Sequence, residues 1–192
     1  MESRSVFVSC LEEHRTVLDA INPLEPQVTE AAQILIEAIK HGKTILLAGN
    51  GGSASDAQHI AGEFVGRFLM ERRGCSAIAL GASDASLTSI GNDYGYELVF
   101  SRQVEAYRSH AGVFIAYSTS GNSPNIIAAA NRCRELGIKV IGMTGESGGK
   151  LKELCDVCLT MPSRHTPRIQ EMHALVGHIL CEIVEPSIEK NA

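Results

Sequence analysis

Apolar residues in this chain follow two rhythms: short solid runs of four to six, and longer stretches with one apolar face. The first long stretch, residues 2–20, carries Val6, Cys10, Val17 and Leu18 among charges, the spacing of an amphipathic helix. Asn22-Pro23 breaks it. A second helix is predicted over 25–41, with Val28, Ala31, Ala32, Leu35, Ile36 and Ile39 on one face and Gly42 as its stop. A helical pair ahead of the first strand has no obvious sheet face of its own to cover, which points to a subunit interface.

The first solid run, 44–48, is bounded by glycines and reads as a buried strand. Gly49-Asn50-Gly51-Gly52-Ser53 closes it and opens a helical stretch over 54–68. Further strands are predicted at 77–80, 112–117, 138–143 and 157–160. Between them lie a short helix capped by Asp84 and running through Ile90, a helix over 98–107, and a helix to Leu136 with Ser123 as N-cap and Pro124 in its first position. The turn Gly91-Asn92-Asp93-Tyr94-Gly95 is predicted to end the helix begun at Asp84. A long helix over about 167–188 closes the chain. Strands alternating with helices at this spacing predict one α/β domain over 1–192, a parallel sheet covered on both faces with N-terminal helices added. Ligands then bind beyond the carboxyl ends of the strands.

Composition changes this picture little. A 44% hydrophobic fraction and 20% charge are ordinary for a globular chain of 192 residues. A net charge of -5 and a pI near 5.8 argue against a general nucleic-acid binder, which needs a basic face. No apolar run is long enough to span a bilayer, and Met1-Glu2-Ser3-Arg4 leads into mixed polar sequence, so no membrane role and a cytoplasmic location are expected. Six cysteines are scattered through apolar segments. Cys155 and Cys158 form a C-x-x-C, but alternation along a strand at 154–161 turns them to opposite faces. No second pair completes a zinc site.

Candidate chemistry sits at two strand ends. Asn50-Gly51-Gly52-Ser53 and Ser118-Thr119-Ser120-Gly121-Asn122-Ser123 each precede a helix N-terminus, where backbone N–H groups and hydroxyls suit a phosphate without needing lysine. The second loop lacks the Gly-Lys-Ser/Thr ending of a nucleotide P-loop. Gly49-x-Gly51-x-x-Ala54 fits the loose dinucleotide fingerprint, but the nearest acid after the second strand, Asp84, lies beyond the expected distance. His59 and Glu63, four residues apart, share a helical face. On the final helix Gln170 and His178 lie about 80° apart and His173 and His178 about 140° apart, so the first two can face one site while His173 turns away. His14, His41, His110 and His165 have no partners at useful spacing.

Five blocks carry a family resemblance: 48–53, Asp56-Ala-Gln-His59 with Glu63, 91–95, 118–123, and Arg168-Ile-Gln-Glu171 with His178. Together they resemble the phosphoheptose isomerases, the sedoheptulose 7-phosphate isomerases of the sugar-isomerase (SIS) domain superfamily. The resemblance implies a three-layer α/β/α subunit with a five-stranded flavodoxin-like sheet. It also implies a cytosolic homotetramer with interfacial active sites and a bound zinc ion. The implied reaction makes D-glycero-D-manno-heptose 7-phosphate for lipopolysaccharide core, capsule and related glycans. Matched by position, the implied zinc ligands are His59, Glu63, Gln170 and His178. Implied substrate contacts are Asn50, Gly51, Gly52, Glu63, Asn92, Asp93, Ser118, Thr119, Ser120, Ser123 and Gln170, with Ser53 beside them in the glycine loop. Pro167 stands where some members carry an acid. Enediol isomerisation needs a base, an acid and stabilisation of the enediolate, and Glu63 and His178 are the candidate base and acid. Four protein ligands leave no open metal position, so one of them, Gln170, is expected to shift when sugar binds. A regulatory group of the same fold, which binds the bacterial replication initiator, shares several blocks but lacks the acid at position 63 and the histidine at 178.

Overall fold

The computed structural model describes residues 3–188. Five parallel strands, β1 (Thr44–Ala48), β2 (Ala77–Ala79), β3 (Ala111–Ser118), β4 (Lys139–Thr144) and β5 (Val157–Thr160), form one sheet. Their order is β2-β1-β3-β4-β5, the flavodoxin type, which changes direction between β1 and β3. Period-two alternation splits the core cleanly. Ile45, Leu47, Val113, Ile115, Tyr117, Ile141 and Met143 bury on one face. Leu46, Ala48, Phe114, Ala116 and Val140 bury on the other. Strands apolar on both faces need helices on both faces, and the chain supplies them.

Helices α2 (Glu25–Lys40), α3 (Gly52–Val65) and α7 (Thr166–Val184) belong to the first face; α5 (Ser101–Ala106) and α6 (Pro124–Glu135) belong to the second. The expectation that both N-terminal helices lack a sheet face fails for α2. Its Val28, Ala31, Ala32, Leu35, Ile36 and Ile39 are buried in the main core, because the sheet needs three helices to cover that face. Only α1 (Ser3–Asp19) stays peripheral, resting on α7 and exposing Val6, Phe7, Val8, Leu11 and Leu18. No helix among the described residues is long and apolar enough to cross a membrane.

Four local readings change. Helix α3 begins at Gly52, so the glycine bend is itself the first turn, entered through Gly51 at φ 57°. Helix α4 (Asp84–Tyr94) is capped by Ser83, whose Oγ accepts the Ser86 N–H at 3.3 Å, and Asp84 lies in its first turn. It runs on through Gly91, Asn92 and Asp93 to stop at Gly95 (φ 88°), so those residues form a last helical turn. The helix expected over 98–107 is a 3-10 turn, Tyr96–Leu98, followed by α5. Finally, β5 starts only at Val157, and Cys155 follows a 3-10 turn, Lys150–Leu154. Strand alternation therefore does not govern Cys155, and the two sulfurs are neighbours rather than on opposite faces.

Candidate active site

The carboxyl ends of β1 and β3 meet where the strand order reverses, the position at which open α/β sheets bind ligands. Asn50 follows β1, and Asn125 stands in the first turn of α6 after the serine-rich loop. The two amides exchange hydrogen bonds at 2.8 and 2.9 Å, and the Tyr96 hydroxyl donates to Asn50 Oδ1 at 3.0 Å. This bridge ties the two loops together. Neither Tyr96 nor Asn125 stood out in the sequence, because neither has a local spacing that signals its partner.

The loops are shaped by close backbone approach. A Cβ on Gly49 would sit 2.3 Å from the Ser53 carbonyl oxygen, and one on Gly121 would sit 1.9 Å from that of Gly148. Only glycine fits at either point. Ser118 is buried with its Oγ 3.0 Å from Ser123 Oγ, while the Ser120 hydroxyl accepts the Asn122 N–H at 3.1 Å. Thr119, Ser120 and Asn122 line a cavity of about 350 Å³ shared with Gly145, Glu146, Ser163, Arg164 and Thr166. Arg164 pairs with Glu146 across it. Asn92 and Asp93 lie exposed and pair with each other at 2.8 Å; among the described residues they form no hydrogen bond to Asn50 or the serine loop.

The second cluster lies further along α3. His59 Nε2 is 3.2 Å from Glu63 Oε1 and 3.2 Å from His178 Nε2. Ligand atoms of all three lie within 4.8 Å of one another. The helical spacing of His59 and Glu63 thus holds, and α7 brings His178 onto them. A tetrahedral zinc with nitrogen ligands at about 2.0–2.1 Å has ligand–ligand edges of about 3.3 Å. The separation of the two imidazole nitrogens matches that edge, and a His₂–carboxylate donor set suits zinc. The residues present therefore fit the ion. Gln170 is about two turns of α7 before His178, nearer the glycine bend, with Nε2 3.5 Å from Ser53 Oγ and its amide packed on Gly52. A Cβ on Gly52 would strike that amide at 2.6 Å.

Three features support this corner; sequence inspection missed Phe68 and Glu185 and gave Asp56 no role beyond its place in a family block. Phe68 stacks on the His178 ring, centroids 5.4 Å apart and planes 27° apart. Phe68 is held by Glu185, whose carboxylate accepts the N–H groups of Phe68, Leu69 and Met70 at 2.7–2.9 Å and Arg72 Nε at 3.1 Å. Both members of that ion pair are buried. Burial works to raise the Glu185 carboxyl, but the three amides and the guanidinium overcome it and hold it low. Arg72 also donates to the Glu63 carbonyl at 2.7 Å, so one ion pair steadies both the Glu63 turn and the Phe68 ring. On the inner side, Asp56 sits one turn before His59. Burial pushes its carboxyl up, His59 pulls the other way, and its Oδ2 is buried without a hydrogen-bond partner.

His173 faces away from His178, as its angle on the helix requires. It is fully buried, with Nε2 3.3 Å from the Thr144 carbonyl and its ring edge-on to Tyr117. Arg168 and Glu171, within the same sequence block as Gln170, clamp α1: Arg168 donates to the Cys10 carbonyl at 2.6 Å and to Glu171 Oε1 at 2.7 Å, and Glu171 Oε2 meets His14 Nδ1 at 2.7 Å. His165 pairs with Glu13 at 3.0 Å. His14 and His165, which have no sequence partner, thus join α1 to α7.

Residues 11–145 match the family model of the SIS domain. A phosphoheptose isomerase of Aliarcobacter butzleri is 51% identical over 94% of this chain and 96% of its own. One from Aneurinibacillus thermoaerophilus is 54% identical over 85% of this chain and 83% of its own. The solved structure of a phosphoheptose isomerase from Neisseria gonorrhoeae superposes with a TM-score of 0.90 at 35% identity, covering 96% of this chain and all of that one. With relatives of one name spanning most of its length and a solved member superposing on the whole fold, the chain belongs to the phosphoheptose isomerase family of SIS-domain proteins and is a sugar phosphate isomerase.

Proposed function

We propose that the enzyme interconverts sedoheptulose 7-phosphate and D-glycero-D-manno-heptose 7-phosphate through an enediol, supplying a heptose precursor for lipopolysaccharide core or capsule in the cytoplasm. The observation that carries this is the convergence of His59 Nε2, Glu63 Oε1 and His178 Nε2 on one point, beside loops suited to a phosphate.

The phosphate binds the loop 118–123 through the hydroxyls of Ser118, Thr119, Ser120 and Ser123 and the amide N–H groups opening α6. Asn50, Gly51, Gly52, Ser53, Asn92 and Asp93 orient the sugar hydroxyls. His59, Glu63, His178 and Gln170 would hold a zinc ion, which when bound would supply Lewis-acid polarisation of the substrate oxygens. Both imidazoles present Nε2 to that point, so their ring protons sit on Nδ1. Glu63 has two oxygens: Oε1 faces the imidazoles, and the second removes the proton from C1. His178, protonated at Nε2 from solvent when that nitrogen is not holding the ion, returns a proton at C2. Gln170, already against Gly52 and Ser53, would turn to the sugar when substrate enters.

The site is open. Beside it, α1 exposes five large apolar side chains, and α7 exposes Ile179 and Ile183, the first next to His178. A second copy of the chain covering this surface fits a homotetramer whose sites lie at subunit interfaces.

The test is conversion of sedoheptulose 7-phosphate by the native enzyme, the chelated enzyme and Glu63→Gln. Native turnover should be lost on chelation and restored by zinc. Glu63→Gln should lose roughly 10³-fold in kcat while keeping its circular dichroism. Activity indifferent to both chelation and Glu63→Gln would dismantle the reading.

A further inference from the structure

Four of the cysteines, Cys75, Cys133, Cys155 and Cys181, lie in or against the core, and Cys158 stands beside Cys155. Cys75, Cys133 and Cys181 are buried singly, and burial pushes the thiols of Cys133 and Cys181 up to about 12, where they are inert. Cys155 and Cys158 are partly open to solvent. Their sulfurs occupy one space on the face of β4, opposite a residue with no side chain. Gly142 is the register partner of Cys158 across the β4–β5 ladder. A Cβ there would stand 2.6 Å from Cys155 Sγ and 3.1 Å from Cys158 Sγ. The gap left by the glycine is where the thiols meet.

Their surroundings make them unequal. Cys155 Sγ donates to the Leu151 carbonyl at 3.1 Å, and the Thr144 hydroxyl lies 3.6 Å from Cys158 Sγ. The closeness of the two sulfurs, joined by Thr144 and Lys152, favours the Cys158 thiolate against its burial, while the same closeness and burial hold Cys155 protonated. One sulfur is poised to attack and the other to follow, an arrangement found in redox-sensing pairs and not in isolated structural thiols. The C-x-x-C spacing keeps the closed ring small, so little chain entropy opposes closure.

We propose that Cys155 and Cys158 form a peroxide-responsive dithiol that closes reversibly to a disulfide. The Cys158 thiolate attacks a hydroperoxide oxygen; the O–O bond breaks and the departing hydroxide or alkoxide takes up a proton, leaving Cys158 as a sulfenic acid. The Cys155 sulfur then attacks Cys158 Sγ, giving up its proton as the S–O bond breaks and water leaves. The two thiols lose two electrons in all, and the hydroperoxide gains them. A dithiol reductant reverses the closure by thiol–disulfide exchange.

The test treats the metal-loaded full chain with hydrogen peroxide, blocks remaining thiols, and reads intact mass and a peptide map. Expected is the loss of two hydrogens per chain with Cys155 linked to Cys158, reversed by dithiothreitol. With dimedone present, Cys155→Ser should carry the adduct on Cys158, and Cys158→Ser should carry none on Cys155. A native chain that shows no such link, or that oxidises at Cys158 only to a sulfinic acid, overturns the proposal. So does a dimedone adduct that falls on Cys155.

Discussion

His173 and His178 lie five residues apart on one helix and do opposite things. His173 is sealed against β4, one ring nitrogen near the Thr144 carbonyl and the other buried without a partner; His178 stands at the rim with another imidazole 3.2 Å away and an aromatic ring against its face. The difference is about 140° of helical rotation. Burial fixes the first as a neutral core ring, whose charge would be costly to form. Convergence gives the second the place that the proposed function assigns to a ligand and proton carrier. Residue type alone decides nothing here; the face of α7 does.

The sharpest way to break that contrast is to alter the outer histidine. His178→Gln should lower kcat by roughly 10³-fold, the scale of losing a positioned acid and metal ligand, yet leave the melting temperature within a few degrees. A matching loss of fold would mean that His178 is structural and that the two rings are alike after all.

The ion pair behind the outer face comes next. Glu185→Ala leaves Arg72 buried without that carboxylate and frees three amides, which should cost about 3 kcal/mol of stability in urea unfolding. Activity should fall as well, since Phe68 and the Glu63 turn both hang from this pair. A variant as stable as the native chain would show that the loop is held otherwise.

The inner histidine should make itself known through pH instead. Burial lowers His173 from 6.5 to about 4 in the folded state. Between those values the unfolded chain binds a proton that the folded chain refuses, so stability falls as pH drops through this window and levels off below it. The full difference is about 3 kcal/mol. His173→Leu, which keeps an apolar ring-sized group, should flatten the unfolding free energy between pH 6.5 and 4, whereas His178→Gln should retain the slope. Parallel slopes in His173→Leu and the native chain would remove the contrast.

Much of this site was legible because its signals are local. Four-residue spacing put His59 and Glu63 on one face, helical angle separated His173 from His178, and glycines between strand and helix marked the loops. What stayed hidden depends on residues brought together from afar. Tyr96 and Asn125 reach Asn50 over 46 and 75 residues, and Glu185 reaches Phe68 over 117. The Arg168-to-Glu171 block looked uniform, yet Arg168 and Glu171 clamp α1 while Gln170 turns to the glycine bend. Helix α4 ran past Gly91 because a single internal glycine weakens a helix by only about 1 kcal/mol, and the turn composition of 91–95 concealed that. Alternation failed at Cys155 for want of a strand there.

The smallest effect is the most discriminating, because it asks whether the outer ring is held or merely located. Phe68 stacks on the His178 ring, and its part under the proposed function is to keep that ring's plane fixed, a contact worth about 1 kcal/mol. Phe68→Ala should therefore lower kcat by roughly 5-fold, the rate equivalent of that energy, and leave KM near its native value. Phe68→Tyr, which keeps the ring, should restore turnover. If the alanine variant instead raised KM with kcat intact, Phe68 would be contacting the sugar, and His178 would hold its orientation through its ligand bond alone.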